Sequence, residues 1–420
     1  LPHSKVLHTI DEREQICDNC GSTMVKVGEE FVRTEVQFIP AKLKVIDHYR
    51  ETYECRSCRK NGTPYMEKAP VPYPPVLHSL ASASTITWLI HQKFELSIPL
   101  YRQEKEWEAL GLRLSRATMS NWLLVVYRDW LVHIVHRLKL ELLKQRYLHI
   151  DETHVQVLKE PGRKNTSDSY MWVYCSIRDA VNPIRYFEYQ PGRSGKYPEA
   201  FLREYEGYIH TDAYSGYNAV SGVKRCLCYT HLRRAFVDAL PKDIHNSEAS
   251  KPAEAILRLN QLFNIESELE ALPPDQKKKE RLIREKPLLE AFWSWAEKSA
   301  IGELPKSKLS KAFHYALNNR EGFWNYLEDG NCSISNSLAE NCIRPFVIGR
   351  KNWLFSGSPK GAEASAGIYT LVETAKANGL APMKYIKYIL SDMPGSAFLE
   401  HPEYLDDYLP WNPLVKEFCR

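Results

Sequence analysis

Four cysteines in two closely spaced pairs give the strongest local chemical signal in the sequence. Cys17 and Cys20 form one C-x-x-C hook, and Cys55 and Cys58 form a second hook after a gap of 34 residues. Four thiolates suit a tetrahedral Zn²⁺ ion and leave no coordination position open, so we predict a structural zinc site. The gap fits a zinc ribbon with a β-hairpin between the hooks, and a strand is predicted over 31–38. The alternative is four unrelated reduced thiols.

Two aspartates stand at the ends of predicted strands. Asp151 closes the run Tyr147–Asp151, and Asp212 closes the run Gly207–Asp212. Carboxylates at the carboxyl ends of neighbouring strands can share Mg²⁺ ions, and a pair of such ions acts on both the attacking and the leaving oxygen of a phosphodiester. Acidic residues are also common in turns and helix caps, so the spacing alone leaves both interpretations open.

Glu340 is the candidate for a third carboxylate. On a helix, Asn336, Glu340 and Arg344 would share one face, although Pro345 disfavours helical angles at Arg344. The local alternative is specific, because Ser337-x-x-Glu340 matches a capping box in which Glu340 only bonds the start of its helix. On local grounds the capping box is the simpler interpretation.

A basic cluster follows the last predicted strand. His231, Arg233 and Arg234 lie near a predicted helix start and are candidates for phosphate contacts. Cys226, Cys228 and His231 could instead form a second metal site, but the sequence offers no evident fourth ligand. The simpler interpretation of the two cysteines is that they belong to the core of a strand.

A second basic stretch, Gly349–Ser358, interleaves cations with aromatic residues and with glycines that predict a loop. It carries Arg350, Lys351 and Trp353, a combination that suits a distorted or single-stranded DNA end. The alternative is an ordinary surface turn with a buried tryptophan.

The elements that must position these residues change type along the chain. Helices are predicted over about 80–95, 98–110 and 116–145, with Gly111 as a break and Ser115 or Thr118 as a cap. The order of a short helix, a turn and a second helix resembles a helix-turn-helix, in which Arg116 and Asn121 would face the major groove. The alternative is a packed connecting helix.

Strands then alternate with helices. Strands are predicted over 147–151, 170–177, 184–189, 207–212 and 225–229, and a helix over 197–205. Three strands in a meander, followed by alternating helix and strand, predict an α/β fold with a mixed sheet. Residues 243–330 and the region 359 to about 391 read as helical.

Composition sets broad limits. The chain has 420 residues, 44% hydrophobic and 26% charged, which is typical of a folded protein. No apolar run reaches about 18 residues, so no membrane span is predicted. No leader sequence opens the chain, so we expect a cytoplasmic protein. The net charge of +4 permits nucleic-acid binding through local patches without requiring it.

Taken in order, the motifs resemble those of the insertion sequence family 66 transposases. The resemblance rests on the two C-x-x-C hooks and on H-I-D-E-T, H-T-D-A-Y-S-G-Y, C-Y-T-H-L-R-R-A-F, S-N-S-L-A-E-N-C-I-R-P and I-G-R-K-N-W-L-F-S-G-S. Asn341 and Cys342 stand where many members have Arg and Ala. Members usually carry a longer N-terminal region, so the natural start is expected upstream of Leu1.

The resemblance implies an RNase H-like core of the DDE type with Asp151, Asp212 and Glu340 as its catalytic triad. It implies the following organisation: zinc-binding module 1–60, Pro-rich linker 61–77, helical DNA-binding domain 78–145, core 146–242, helical insertion 243–330, second part of the core 331–391, and tail 392–420.

The resemblance further implies a Mg²⁺-dependent (or Mn²⁺-dependent) transposase associated with the bacterial nucleoid. Its partners would be the terminal inverted repeats of its element, target DNA, a second copy of itself and accessory proteins of the same operon. The alternatives are a metal-dependent nuclease of the same fold that does not join strands, and an inert DNA-binding copy that acts as a repressor. A zinc protein without a DNA function is a further alternative.

Overall fold

The computed structural model describes residues 4–35, 41–241 and 250–420. By its contacts the chain divides into two units, Leu1–Ile46 and Asp47–Arg420, which are described separately.

The first unit has little regular structure. A 3₁₀ turn, Glu12–Glu14, is capped by Asp11, whose side chain accepts the N–H of Arg13. An isolated bridge between Ile16 and Thr23 then closes a tight loop around the first cysteine hook. Of the strand predicted over 31–38, residues 31–35 are not in a strand, and 36–38 lie outside the described residues.

The second unit begins with a small hairpin that encloses the second cysteine hook. Strands β1 (Thr52–Glu54) and β2 (Met66–Lys68) pair antiparallel, and helix α1 (Arg56–Lys60) lies between them. The predicted hairpin between the two hooks is therefore wrong for the described residues. Between the hooks the described residues are exposed except for Glu54, which is half-buried in β1, so they have no core against which a hairpin could pack.

A helical region follows, close to the predicted bounds. It contains α2 (Ala83–Ile90), continued by a π-helical turn (His91–Glu95), α3 (Leu100–Ala109), α4 (Arg116–Val126), a second π-helical turn (Tyr127–Leu131) and α5 (Val132–Leu143). Ser115 caps α4, because its Oγ accepts the N–H of Thr118 at 3.1 Å. Gly111, with φ of 90°, supplies the left-handed turn between α3 and α4. The predicted cap and break are confirmed.

A mixed sheet forms the centre of the second unit. In chain order its elements are β3 (Tyr147–Val157), β4 (Asp168–Ser176), β5 (Arg185–Gln190), α6 (Lys196–Phe201), β6 (Gly207–Thr211), β7 (Val223–Leu227) and α7 (Tyr229–Val237). The strand order is β5-β4-β3-β6-β7. β3, β4 and β5 form an antiparallel meander, whereas β6 and β7 run parallel to β3. The last six residues of β4 are all buried, as expected when helices cover both faces of a sheet.

Helices between the sheet and Glu340 build a second hydrophobic core. They are α8 (Lys251–Glu268), α9 (Pro274–Glu280), a π-helical turn (Arg281–Glu285), α10 (Lys286–Ala300), α11 (Lys308–Asn318) and α12 (Arg320–Trp324). The buried faces of α8, α10, α11 and α12 pack with Leu232 and Phe236 of α7, whereas α9 has no buried residue. The helical character predicted for this region is confirmed for the described residues.

The chain then returns to the sheet through α13 (Ser337–Trp353), followed by β8 (Phe355–Ser356), α14 (Pro359–Ala377), α15 (Pro382–Asp392), a 3₁₀ helix (Pro402–Tyr408) and α16 (Pro413–Cys419). α14 is tied to β5, because the Thr370 and Thr374 hydroxyls accept the N–H groups of Phe187 and Arg185 at 2.8 and 3.1 Å. Within residues 4–35, 41–241 and 250–420, no helix combines the length and hydrophobicity needed to cross a bilayer.

Candidate active site

The two predicted aspartates lie on neighbouring strands of the sheet. Asp212 directly follows β6 as predicted, but β3 continues to Val157, so Asp151 lies inside its strand and not at its end. β3 and β6 are neighbouring parallel strands, and His149 pairs with His210 in their register. Asp151 is two residues beyond His149, and Asp212 is two residues beyond His210. Because the two strands are parallel neighbours in this register, Asp151 and Asp212 are close, and the charge of Asp212 acts on Asp151.

The environment of Asp151 is strongly acidic. Burial raises the pKa of the Asp151 carboxyl to about 7, and the negative charges of Glu152, Asp212 and Glu340 act in the same direction. The N–H of Glu152 donates to Asp151 Oδ1 at 2.9 Å and offsets only part of this rise. Asp212 and Glu340 are therefore close enough to disfavour the charged form of Asp151, an effect that a bound cation would relieve.

Glu152 adds a fourth carboxylate, but its oxygens are occupied. Arg193 forms an ion pair with Glu152 Oε1 at 2.6 Å, and the Tyr217 hydroxyl donates to Oε2 at 2.5 Å. The same guanidinium lies 4.0 Å from Asp212 Oδ2. Sequence reasoning missed these three residues as part of the site. Glu152 and Tyr217 do lie inside the two aspartate motifs, which was the available signal.

Glu340 lies in the first turn of α13 and does not form the predicted capping box. The cap position is Asn336, not Ser337, and no side-chain capping bond is formed there within the described part of the chain. The Oε1 atom of Glu340 is buried and has no hydrogen-bond partner among the described residues. A buried carboxylate oxygen without a hydrogen bond, close to the Asp151 carboxylate, fits a site for oxygen-preferring Mg²⁺.

Asn336, predicted to contact DNA, instead ties α13 to the sheet. It is 2% exposed, its Nδ2 donates to the Ile150 carbonyl at 2.7 Å, and its Oδ1 lies 3.0 Å from His149 Nδ1. The side-chain amide of Asn336 therefore bonds to β3 at His149 and Ile150, directly before Asp151, and is not available to DNA. This side chain fixes the start of α13, and hence Glu340, against the strand that carries Asp151.

Two stacked histidines, His149 and His210, connect the bonds of Asn336 to the segment just before α13, which contains Ser333. His149 and His210 stack with centroids 4.1 Å apart. His210 Nδ1 lies 3.1 Å from the Leu148 carbonyl, and its Nε2 accepts the N–H of Ser333 at 2.9 Å. These bonds explain how 128 residues can separate Asp212 from Glu340 without displacing the third carboxylate.

The predicted DNA-contacting residues of α7 divide into three environments. His231 is half-buried, and its Nδ1 lies 3.7 Å from Glu340 Oε1. Arg233 is engaged elsewhere, because its Nε donates to Asn260 on α8 at 2.8 Å. Arg234 is exposed. The structure therefore leaves Arg234 free for phosphate and places His231 beside the carboxylates.

The stretch predicted as a basic loop is largely helical. α13 continues through Pro345 and Gly349 to Trp353, so Arg344 is helical and exposed despite the proline that follows it. Trp353 packs on Gly349, because a Cβ at that glycine would lie 2.0 Å from the indole ring. The packed tryptophan, rather than a stacking platform for bases, is the arrangement observed.

The remaining cations of this stretch differ in availability. Arg350 donates to the Thr153 hydroxyl at 2.9 Å and also to the His154 carbonyl, so it links α13 to β3. Lys351 is exposed. On α4, Arg116 and Asn121 are both exposed, whereas Met119 and Trp122 are buried, which leaves the predicted reading face free.

Each cysteine hook favours the ionised form of one thiol. Hydrogen bonds from Ser22, together with the Cys17 thiol, lower the pKa of Cys20. In the second hook, the N–H and thiol of Cys58 lower the pKa of Cys55. Thiolate is the form that binds Zn²⁺. The binding of one ion by all four cysteines stays a prediction.

Comparison with known proteins defines the class. A family model described as "Transposase IS66 family" matches residues 78–364, and a model described as "zinc-finger binding domain of transposase IS66" matches residues 14–59. The chain therefore belongs to the IS66 transposase family, carries that family's zinc-finger domain and is expected to bind DNA.

Two longer relatives match this chain over nearly its whole length. The chain is 27% identical over 429 residues to "Uncharacterized protein y4hP" of Sinorhizobium fredii (strain NBRC 101917 / NGR234), covering 95% of this chain and 75% of that protein. It is 26% identical over 426 residues to "Uncharacterized protein y4jD" of the same organism, covering 98% and 80%.

Proposed function

We propose that the chain is a DDE transposase that cleaves the ends of its insertion sequence and joins the freed 3′-hydroxyl strand to target DNA. The observation that carries this proposal is the convergence of Asp151, Asp212 and Glu340 from two neighbouring strands and one helix. The mutual effect of their charges on Asp151 and the unpaired oxygen of Glu340 support it.

The strand order supports an RNase H-like core. A three-stranded antiparallel meander is followed by two strands parallel to its first strand. Asp151 lies in that first strand and Asp212 directly after the next parallel one, which supports the core that the family resemblance implies.

Asp151, Asp212 and Glu340 would hold two Mg²⁺ or Mn²⁺ ions. Such ions activate the attacking oxygen and stabilise the leaving oxygen of the phosphodiester. The chain's own part is positioning: Asn336 fixes α13 against β3, and the Arg193–Glu152 pair fixes the loop beside Asp212. Arg225 supports that loop further, donating to the carbonyls of Asp212 and Tyr214 at 2.6 and 2.8 Å.

DNA would be held by the exposed cations. Arg344 lies one helical turn beyond Glu340 and so shares its face of α13. Arg234 and Lys351 add exposed positive charge, which predicts binding that weakens as salt rises. The exposed face of α4, with Arg116 and Asn121, would read the terminal repeat in the major groove. Because two ends must be brought together, the active form would be at least a dimer, helped by accessory proteins.

The test is strand cleavage and joining on a labelled duplex that carries the element's terminal repeat, with Mg²⁺. The parent is compared with Glu340→Gln, which keeps the side-chain shape and removes the charge. Glu400→Gln, at an exposed glutamate in the C-terminal tail, is the matched control.

We expect cutting and joining by the parent and by Glu400→Gln, and neither reaction by Glu340→Gln. Cutting without joining would replace the proposal with the nuclease alternative. Salt-sensitive binding of the repeat, with no cutting by the parent, would favour the inert DNA-binding alternative. Equal activity of Glu340→Gln and the parent would remove Glu340 from the site.

A further inference from the structure

A second constellation of metal-binding atoms shares Glu340 with the carboxylate site. Cys228, His231 and Glu340 each contribute one donor atom, and these atoms all lie within 4.8 Å of one another. Cys228 is the cap residue of α7, His231 is in its first turn, and Glu340 is in the first turn of α13. The sequence pairs Cys228 with His231, but only the fold adds the carboxylate.

Two of the three donors are unsatisfied. His231 Nδ1 and Glu340 Oε1 are buried, lie 3.7 Å apart and have no hydrogen-bond partner within the described part of the chain. Burying polar atoms without hydrogen bonds is costly, so a cation that took both atoms as ligands would be favoured here. Cys228 Sγ accepts the N–H of Asn336 at 3.1 Å, which holds the sulfur beside them.

The donor set selects the ion. Sulfur, imidazole nitrogen and carboxylate oxygen are the ligands of Zn²⁺, whereas Mg²⁺ takes oxygen ligands. Zn²⁺ bonds of about 2.0–2.2 Å to nitrogen and oxygen put two such donors of a tetrahedral site roughly 3.3–3.6 Å apart. The His231–Glu340 separation of 3.7 Å is close to this range. Three protein ligands leave a fourth position for water.

We propose that Cys228, His231 and Glu340 form a Zn²⁺ site that withdraws Glu340 from the Mg²⁺ site and so inhibits the enzyme. The binding part stands on the geometry alone, and the inhibitory part rests on the proposed transposase function. A Zn²⁺ ion at this site would link the first turn of α13 to α7. Glu340, the proposed third catalytic carboxylate, would then be a zinc ligand and could not bind Mg²⁺.

A neighbouring thiol cluster provides a natural control. His210, Cys226 and Cys332 also bring three donor atoms within 4.8 Å. Both ring nitrogens of His210 are already used, however, one toward the Leu148 carbonyl and one for the Ser333 N–H. We therefore expect no ion there, and Cys226→Ser serves as the matched thiol variant.

The binding test titrates Co²⁺ into the full chain after one equivalent of Zn²⁺, enough for the four-cysteine site of the zinc-finger domain alone, has been added. We expect a thiolate-to-cobalt absorption band for the parent and for Cys226→Ser, and its loss in Cys228→Ser, since serine is a poor ligand but still accepts the Asn336 N–H. His231→Gln, which keeps the thiol, is expected to weaken Co²⁺ binding roughly 10- to 100-fold. Far-ultraviolet circular dichroism verifies that each variant is folded.

Identical cobalt spectra of folded parent and Cys228→Ser would overturn the site, as would unchanged affinity in His231→Gln. The activity arm adds Zn²⁺ to Mg²⁺-dependent cleavage, and we expect inhibition of the parent that Cys228→Ser relieves. Cobalt binding without zinc inhibition of an active parent would overturn the sharing of Glu340. A parent that never cleaves would count against the proposed function, while the cobalt result still decides the site.

Discussion

The two predicted metal sites of this protein are built in opposite ways. The cysteine segment, defined as residues 14–35 and 41–59, carries its ligands in two local hooks, and none of these residues is buried. Asp151, Asp212 and Glu340 are separated by 61 and 128 residues and meet on a sheet with helices packed against it. The first region has little besides metal to stabilise it, whereas the second is positioned by packing before any metal binds.

The largest expected effect is the response of the cysteine segment to zinc removal. Structural Zn²⁺ contributes about 10–16 kcal/mol to the folding of small zinc domains, and this segment has no buried residue to substitute for it. We expect chelation, or Cys55→Ser, to abolish hydrogen-exchange protection in β1 and β2 while β3 and β4 stay protected. Mass spectrometry of exchanged peptides measures both regions in one sample.

Ser57→Ala, between the cysteines of the second hook, is the control and should leave exchange unchanged. Protected β1 and β2 amides in the zinc-free protein would show that this region does not depend on its metal, and the contrast between the two sites would fail.

The next effect is electrostatic and concerns the metal-free carboxylate site. The folded pKa of Asp151, about 7, lies above its ordinary value of 3.8, so the folded state binds a proton that the unfolded state releases. This group therefore costs stability as pH rises from about 4 to 7, by up to about 4 kcal/mol. In Mg²⁺-free buffer at pH 8 we expect Asp151→Asn to melt at a higher temperature than the parent.

The gap in melting temperature should narrow as the pH falls toward 4 and should be absent in Asp179→Asn, at an exposed turn. Calorimetric melts across this pH range provide the measurement. If the difference in melting temperature between Asp151→Asn and the parent grew as the pH fell, the charged form of Asp151 would not be destabilised by burial and neighbouring charges. The metal-free carboxylate site would then carry no electrostatic cost.

The features of the fold that could be predicted from the sequence are those that depend on neighbouring residues. The Ser115 cap and the Gly111 break depend on residues within a few positions, and the strands at Asp151 and Asp212 follow from period-two patterning. The three carboxylates came from motif resemblance, because nothing local distinguishes Glu340 from a capping residue.

What the sequence could not reveal depends on distant partners. Asn336 was predicted to contact DNA, but its amide bonds to His149 and Ile150, more than 180 residues earlier. Gly349 was predicted to form a loop, yet tertiary packing of Ile343 and Phe346 holds α13 helical through Pro345 and beyond. In both cases a partner remote in sequence overrode a local preference.

Two glycine-to-alanine substitutions test the contrast between the packed carboxylate region and the exposed cysteine segment through side-chain packing alone. At Gly349 a Cβ would lie 2.0 Å from Trp353 and 2.6 Å from the Tyr369 hydroxyl, and both atoms belong to packed side chains. We expect Gly349→Ala to lower the free energy of unfolding by about 3 kcal/mol. At Gly28, in the cysteine segment, no described atom lies within 4 Å of the new carbon, so Gly28→Ala should change little. Urea unfolding followed by tryptophan fluorescence compares the two, and equal destabilisation would contradict the contrast.

The smallest expected loss of stability carries the most specific information about the carboxylate site. Asn336→Ala removes the bonds to His149 and to the Ile150 carbonyl and leaves both groups buried, which should cost about 2 kcal/mol. Because this side chain fixes the start of α13, Glu340 should lose its fixed position relative to Asp151. We expect the Mg²⁺ concentration for half-maximal cleavage to rise, with the zinc content unchanged.

The control is Asn341→Ala, at an exposed position one residue after Glu340. This variant should have the same half-maximal Mg²⁺ concentration as the parent. If Asn336→Ala lowered stability without altering the Mg²⁺ dependence, the tether would be only structural, and the carboxylate site would owe its order to the metal, as the cysteine segment does.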